Sequence, residues 1–207
     1  VIDLGTYEYI PRLNWSAKSN QLIIQTMNRH QNELKYWLVD VVKGKASCKN
    51  FFTEKSKTYV DIDDNLLILK DGQSILRTSE ENGYRHIFQL NLDGSTKQIT
   101  NGPWDVIDFI GFDENTQQIY FSSAERGAIN KSIYAIQLNG LNKRELTSTV
   151  GYNDAEFLNG MKYFILTYSN ANQAPVYSLC KSDGSVVRVL ESNQGLMDKM
   201  KKERLST

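Results

Sequence analysis

Apolar residues recur along the chain in short alternating runs, separated by clusters of Gly, Asn, Asp and Ser. This alternation predicts half-buried β-strands rather than helices. The clearest example lies within Ser79–Val106, where a predicted strand at Arg85–Leu92 is followed by an Asp93-Gly94 turn and a second strand at Thr96–Thr100. An Asp-Gly pair between two such strands predicts a two-residue hairpin turn with positive φ at both residues. The pattern therefore predicts an all-β protein.

The same predicted hairpin repeats at a regular interval. A glycine closes the third predicted strand of every repeat, and successive glycines are 50, 46 and 44 residues apart: Gly44, Gly94, Gly140 and Gly184. A shorter, more polar strand is predicted after each glycine, at Ala46–Phe52, Thr96–Thr100, Arg144–Thr147 and Val186–Leu190. Before each glycine, an apolar strand, a polar turn and a strongly apolar strand are predicted within Leu13–Met27, Leu66–Ser79, Phe109–Ser123 and Ala155–Ser169.

Four antiparallel strands in every repeat of about 45 residues are typical of β-propeller blades. A sandwich or open barrel has strands at a similar spacing, but neither requires self-similarity after every fourth strand. We therefore predict a propeller segment over 1–192, with blades at about 8–56, 57–102, 103–150 and 151–192. Four blades can close a small ring or form half of an eight-bladed ring. Because the chain begins without Met and in mid-pattern, we expect the second arrangement.

The last residues differ from the repeats. Leu196, Met197 and Met200 lie close together in Gln194–Leu205, and basic residues follow toward the C-terminus, which predicts a short amphipathic helix. Its apolar face has too few residues for a membrane anchor. We expect a domain boundary near Ser192, with 193–207 acting as a helix and linker.

Composition excludes several classes of partner. The chain of 207 residues carries 24 basic and 24 acidic side chains, so it offers no electrostatic attraction for nucleic acid or an anionic membrane. No apolar run approaches the ~20 residues of a membrane span, and the first residues lack the features of a signal peptide. Cys48 and Cys180 are 132 residues apart, which predicts two strand thiols rather than a disulfide framework or metal site.

The sequence contains no catalytic motif. The G-x-S-x-G elbow of α/β-hydrolases is absent, and neither His30 nor His86 has a nucleophile nearby in sequence, so both are interpreted as turn or strand residues. Asp61, Asp63 and Asp64 alternate as in a calcium loop, but the glycine and distal glutamate are missing. We interpret them as a solvated turn, and we expect no metal site and no cofactor.

Glu80-Glu81 suggests an acidic pair for binding an amine, but neighbouring side chains on a strand point to opposite faces. Placed before Asn82-Gly83, the pair is predicted to lie on the surface of a hairpin. The glycines of Gly94–Gly102 are not followed by a helix, so they do not predict a phosphate-binding loop.

Several motifs resemble the propeller domain of the dipeptidyl peptidase IV family, serine exopeptidases of the prolyl oligopeptidase clan. The most specific is SEENGYRHIFQL followed by DGSTKQITNGPWDV, within Ser79–Val106. Further similar segments are Glu8–Asp40, Ile119–Gly127 and Val189–Met200. Together they cover nearly the whole chain in the order of the family.

The resemblance implies that the chain is the C-terminal half of an eight-bladed propeller. It also implies an α/β-hydrolase domain, with a Ser-Asp-His triad, beginning just beyond Thr207. The intact protein is then expected to remove dipeptides from peptide N-termini, preferring Pro or Ala in second position. The propeller would limit access to short peptides and contribute substrate-binding side chains. Because members of the family are commonly extracytoplasmic or membrane-anchored, we expect an extracytoplasmic location.

The resemblance also guides the assignment of site residues. The family's acidic pair belongs to an earlier blade, so Glu80-Glu81 does not take its role. Some members place an aromatic side chain in the substrate pocket from a loop that matches Thr58–Asp63 here, which makes Tyr59 the candidate substrate-binding residue. The segment departs from the family pattern. Disulfides found in some members are expected to be lost, because Cys48 and Cys180 have no nearby partners.

Three functions are compatible with these features. The first is a non-catalytic propeller segment that gates and positions peptide N-termini for its own hydrolase domain. The second is a stand-alone scaffold that binds proteins or peptides through loops such as Asn28–Glu33 and Ala124–Lys131. The third is a segment of an inactive relative. A half-propeller exposes the faces of its first and last blades, and these apolar surfaces predict self-association.

Overall fold

The computed structural model describes residues 2–203. The chain divides into two compact units, Val1–Ile99 and Thr100–Thr207. Each unit contains two four-stranded antiparallel sheets in which neighbouring strands are consecutive in the chain. The predicted fold class is confirmed: the described chain is all-β, with four such sheets and one short C-terminal helix.

The first unit contains the first two sheets. The strands of the first sheet are β1 Leu13–Trp15, β2 Gln21–Met27, β3 Glu33–Val42 and β4 Lys45–Lys55. Those of the second sheet are β5 Leu67–Ile68, β6 Ser74–Ser79, β7 His86–Asn91 and β8 Thr96–Gln98.

The second unit contains the other two sheets and the helix. The strands of the third sheet are β9 Val106–Asp113, β10 Gln118–Ser123, β11 Ser132–Gln137 and β12 Arg144–Glu145. The fourth sheet comprises β13 Tyr152–Phe157, β14 Tyr163–Asn170, β15 Gln173–Lys181 and β16 Val186–Glu191, and it is followed by α1 Gln194–Lys202.

Each unit has a core between its two sheets, because alternate side chains of the inner strands face the neighbouring sheet. In the first unit this core contains Ile23, Tyr36, Phe51, Val60, Ile75 and Leu90. In the second unit it contains Tyr120, Ile133, Ala135, Leu146, Phe164 and Cys180. The opposite face of the first sheet is covered by the N-terminal segment, where Leu4 packs on Ile24 and Val39.

Cys48 and Cys180 both lie on strands and are free thiols. Cys48 is exposed and Cys180 is buried in the core of the second unit.

The predicted two-residue turn at Asp93-Gly94 is wrong. Gly94 has φ 92°, but Asp93 is not among the described residues with positive φ. The Gly94 amide donates to the Asn91 carbonyl, and the Asn91 amide donates to Ser95, which is a type I turn followed by a glycine bulge. The Asp93 carboxylate favours this loop by accepting from the Ser95 amide at 2.8 Å.

The same bulged loop occurs in the second unit, where the amides of Gly140 and Gly184 donate to carbonyls three residues earlier. The two-residue turn with positive φ at both positions occurs instead at Lys43-Gly44, with φ 50° and 74°. This tight turn lets β3 and β4 pair along almost their full length, from Val42–Lys45 to Glu33–Lys55. As a result β4 is longer than the predicted Ala46–Phe52, and it extends to the buried Glu54.

The hairpin glycines also explain how neighbouring sheets approach each other. A Cβ atom on Gly94, in the second sheet, would lie 2.4 Å from the Phe51 carbonyl oxygen of the first sheet. A Cβ on Gly184, in the fourth sheet, would lie 2.5 Å from the Leu146 carbonyl oxygen. Since backbone carbonyls cannot rotate away as side chains do, these positions require glycine for contact as well as for conformation.

The fourth sheet ends in an exposed edge strand. All six residues of β16 are exposed, including four aliphatic side chains, Val186, Val187, Val189 and Leu190. The pairing with β15 is interrupted twice by bulges, at Leu190 and at Val187. Each bulge leaves one residue of β16 without a partner on β15.

The predicted C-terminal helix is present over Gln194–Lys202, and Met197 is buried on it. The Met197 sulfur accepts from the Ala174 amide at 3.3 Å, and Asn193 donates to the Pro175 carbonyl at 2.7 Å. The rest of the predicted helix, to Leu205, lies partly outside the described residues. No helix within 2–203 is long and apolar enough to cross a bilayer.

Candidate functional site

A cleft of approximately 850 Å³ lies in the first unit. One wall is formed by the end of β4 and the following loop, residues 54–65, and the other by the end of β6 and the turn that follows, residues 78–85. Both segments are at the same end of their sheets. The lining is mainly polar, and it includes six carboxylates: Glu54, Asp61, Asp63, Asp64, Glu80 and Glu81.

Tyr59, the candidate substrate-binding residue, lines this cleft. Its side chain belongs to the loop between β4 and β5, and the residue is 50% exposed. It therefore offers an aromatic surface to a molecule that enters the cleft. The neighbouring Val60 is buried in the core, where it packs with Phe51, so the loop is anchored directly beside Tyr59.

The interpretation of the three aspartates as one solvated turn is wrong for Asp63. This residue is 6% exposed, and its carboxylate accepts from the Thr78 amide at 2.5 Å and the Thr78 hydroxyl at 2.9 Å. It also accepts from the Asn65 amide at 2.8 Å. Asp63 therefore ties the cleft loop to β6, because a buried carboxylate needs such donors.

The other two aspartates are at the surface and form ion pairs. Asp61 accepts from Arg85 at 2.5 Å, which joins the two walls at the rim of the cleft, and Asp64 pairs with Arg12. The residues that the structure describes contain no group of three or more His, Cys, Asp or Glu side chains arranged to hold a metal ion.

A buried ionic network lies directly behind the cleft and was not predicted from the sequence. The Arg77 guanidinium, from β6, has no exposed surface. It donates to Glu54 at 2.6 Å and to Glu81 at 3.1 Å. Ser79 donates to the other Glu54 oxygen, and the Glu81 amide donates to the Ser79 hydroxyl at 3.1 Å. These four residues form a closed ring of contacts, here called the Arg77 ring.

Burial sets the electrostatics of this ring. Burial raises the pKa of the Glu54 carboxyl above its usual range, although Arg77 acts in the opposite direction. Burial also opposes the charge on Arg77, but Glu54, Tyr36 and Glu81 together outweigh this effect and raise the pKa of the guanidinium. Two aromatic rings flank the cation, with Phe52 at 4.8 Å and Phe88 at 5.3 Å from its centre.

The structure separates the two glutamates of the predicted surface pair. Both residues are exposed, as predicted, but the Glu81 carboxylate contacts the buried Arg77 and the Glu81 side chain is only 27% exposed. His86 is buried on β7, and His30 is exposed in the turn between β2 and β3, so both are turn or strand residues as interpreted.

A second, smaller cleft of approximately 550 Å³ lies in the second unit. At its edge the nearly buried Lys131 ammonium donates to Asp108 at 2.7 Å and Asp154 at 2.6 Å, and it lies 5.1 Å from the Tyr152 ring centre. Burial opposes the charge, but the two carboxylates together raise the pKa of Lys131. This arrangement joins the third and fourth sheets.

Comparison with known proteins identifies the family. The model of the dipeptidyl peptidase IV N-terminal region matches residues 2–175, which is most of the chain. The chain belongs to this family. The resemblance stated from the Ser79–Val106 motif is thereby confirmed.

Relatives of the dipeptidyl peptidase IV family match nearly the whole chain. The probable dipeptidyl-aminopeptidase B of Phaeosphaeria nodorum is 28% identical over 95% of the chain, and the inactive dipeptidyl peptidase 10 of Mus musculus is 26% identical over 96%. The crystal structure of Porphyromonas gingivalis dipeptidyl peptidase 4 superposes with a TM-score of 0.87 and 32% identity over 97% of the chain. The chain spans 23%, 27% and 29% of the lengths of these three proteins.

The motif that resembles the dipeptidyl peptidase IV family has a structural role in this chain. Within it, Arg85 pairs with Asp61 and His86 is buried. In the second half of the motif, Gly102 has φ 149°, and a Cβ there would lie 2.1 Å from Trp104 Nε1. Gly102 therefore permits Trp104 to pack on Phe121, with the ring centres 6.0 Å apart.

Proposed function

We propose that this chain is a non-catalytic propeller segment of a dipeptidyl peptidase IV-like serine exopeptidase, in which it gates and positions peptide N-termini. The family match and the fold support membership of such a protein. The observation that carries the positioning role is the cleft lined by the half-exposed Tyr59.

The composition of the cleft suits a peptide terminus. Tyr59 supplies an aromatic surface, and the exposed carboxylates Asp61, Asp64 and Glu80 give the rim acceptors for the N–H groups of a peptide. Lys55 and Lys57 lie along the same loop and offer charge of the opposite sign. A peptide held at one end in this way loses rotational freedom before reaction, which is how positioning accelerates a reaction.

The partner in this proposal is the protein's own α/β-hydrolase domain, encoded beyond Thr207, which would carry the Ser-Asp-His triad. The four sheets would then form half of an eight-bladed propeller. The isolated chain is expected to give no turnover of a Gly-Pro or Ala-Pro chromogenic substrate, whereas the full-length protein cleaves it. Hydrolysis by the isolated chain would refute the proposal.

Tyr59 provides the direct test in the full-length protein. We expect Tyr59→Ala to raise KM about tenfold, equivalent to ~1.4 kcal/mol of lost binding, with kcat changed much less. Tyr59→Phe should behave like the unsubstituted protein, since it keeps the aromatic surface. Tyr7→Ala is a matched control, because Tyr7 is 39% exposed and does not line the cleft. An unchanged KM for Tyr59→Ala would refute the role of the cleft.

The isolated chain is also proposed to self-associate through the exposed faces of its terminal sheets. Exposed apolar side chains on the fourth sheet support this proposal, among them Tyr163 and Tyr177. Sedimentation velocity over a range of concentrations tests it. A monomer at every concentration would contradict it.

A further inference from the structure

We propose that Arg77 is a positioning residue for the cleft. It holds the loop that carries Tyr59 and the turn at 80–83 in a fixed relation, without contacting a bound molecule itself. The inference rests on the proposed function of the cleft, because it explains how the two cleft walls keep the geometry that a peptide terminus would require.

The position of Arg77 excludes direct binding. Its side chain has no exposed surface, and it is not among the residues that line the cleft. Its two partners, Glu54 and Glu81, do line the cleft, as does Ser79. Arg77 can therefore influence a ligand only through these residues. A long cation confined between the rings of Phe52 and Phe88 also has little freedom to adopt another position.

The contacts of Arg77 reach both walls at once. Glu54 is the penultimate residue of β4, just before the loop of Tyr59, and Glu81 lies in the opposite wall. A planar guanidinium with several fixed donors can bind two carboxylates at a defined separation, which a lysine ammonium cannot do as precisely. The Ser79 hydroxyl closes the ring by contacting Glu54 and the Glu81 amide.

The ring also determines what happens when Arg77 is removed. Without the cation, the nearly buried Glu54 carboxylate and the Glu81 carboxylate repel each other across a site of low dielectric constant. The least costly response is for the Glu81 turn to move toward solvent, since that carboxylate is already partly exposed. The turn and the Tyr59 loop should then separate, while the apolar core below them stays packed.

Hydrogen–deuterium exchange in the full-length protein tests the positioning directly. In Arg77→Met, amides of residues 56–66 and 80–83 should exchange about tenfold faster, while those of β10 and β11 in the second unit remain unchanged. Arg77→Lys should give an intermediate result, because it restores charge without the planar fork. Unchanged exchange in the two segments, or an equal rise throughout the first unit, would overturn the proposal.

Two further variants keep the test decisive if Arg77→Met fails to fold. Glu81→Gln breaks the partly exposed ion pair alone, and it should accelerate exchange at 80–83 more than at 56–66. The combined Arg77→Met, Glu54→Gln and Glu81→Gln variant removes all three charges and should fold, since uncharged replacements of a buried ionic group are often tolerated. Protection of both segments in this triple variant equal to that of the unsubstituted protein would overturn the proposal.

Kinetics separate this inference from the proposed function. Arg77→Met should raise KM for the Gly-Pro substrate by a factor similar to Tyr59→Ala, with kcat changed much less, and Arg77→Lys should recover part of the loss. A raised KM in Tyr59→Ala but not in Arg77→Met refutes the role of Arg77 and leaves the proposed function intact. An unchanged KM in both refutes the proposed function.

Discussion

Replacing Gly94 by alanine tests whether the hairpin glycines are required by contact between neighbouring sheets. Gly44 supplies a control, because it also joins the third and fourth strands of its sheet and also has a left-handed backbone conformation. Both glycines have φ in the left-handed region, 92° and 74°. A Cβ on Gly94 would lie 2.4 Å from the Phe51 carbonyl oxygen, whereas a Cβ on Gly44 would have no atom within 4 Å.

This comparison separates the cost of left-handed backbone from the cost of the contact with Phe51. Left-handed backbone costs an alanine roughly 1–2 kcal/mol, and this term is common to both substitutions. Only Gly94→Ala must also move Phe51 by about 1 Å to reach an ordinary contact distance of 3.4 Å. Overpacking of this kind costs about 1–3 kcal/mol, so Gly94→Ala should be less stable than Gly44→Ala by that amount.

Urea unfolding of the isolated chain measures this difference. We expect a lower midpoint for Gly94→Ala than for Gly44→Ala, with m values unchanged. Trp37 lies in the first unit and Trp104 in the second, so their fluorescence can show which unit has lost stability. Gly184→Ala should produce the equivalent loss in the second unit. Equal midpoints for Gly94→Ala and Gly44→Ala would refute the contact argument.

Three other side chains, Lys143, Tyr134 and Asp63, give further predictions about stability. Lys143→Met should lower the free energy of unfolding by about 1 kcal/mol and shift Trp104 fluorescence, because the Lys143 ammonium lies 4.5 Å from the centre of the Trp104 ring. An unchanged emission spectrum would contradict this. Burial raises the pKa of the Tyr134 hydroxyl from 10.0 to about 12. The neutral phenol therefore stabilises the folded state fully below pH 10, and this stabilisation is lost as the pH rises toward 12. Alkaline unfolding monitored by phenolate absorbance should therefore begin at higher pH in Tyr134→Phe. Asp63→Ala should cost about 2 kcal/mol in urea unfolding, because it leaves the buried Thr78 amide without an acceptor; a loss below 0.5 kcal/mol would contradict this.

The strand content was predictable because it depends on local alternation. Leu34 and Tyr36 are buried on β3 with the half-buried Lys35 between them, which is the spacing that the alternation requires. The turn types were less predictable, since an Asp-Gly pair is compatible with more than one hairpin loop. At Asp93 the side chain decides the outcome by accepting from Ser95, a contact that composition alone does not indicate.

The candidate site was predictable only in part. The resemblance pointed to Tyr59, which lies on a loop that lines the cleft, but the environment of that loop depends on pairs that are distant in sequence. Arg77 and Glu54 are 23 residues apart, and Asp63 and Thr78 are 15 apart. A charged residue within the apolar predicted segment Leu66–Ser79, at Arg77, was the available signal. A spacing rule cannot show which distant charges are paired.

The two bulges of β16 limit how copies of this chain can assemble. An uninterrupted edge strand rich in valine would be a template on which a second strand could add, and then a third, without limit. At Val187 and Leu190 the regular alternation is interrupted, so an incoming strand would lose its register within a few residues. Growth of a fibre from this edge is therefore disfavoured.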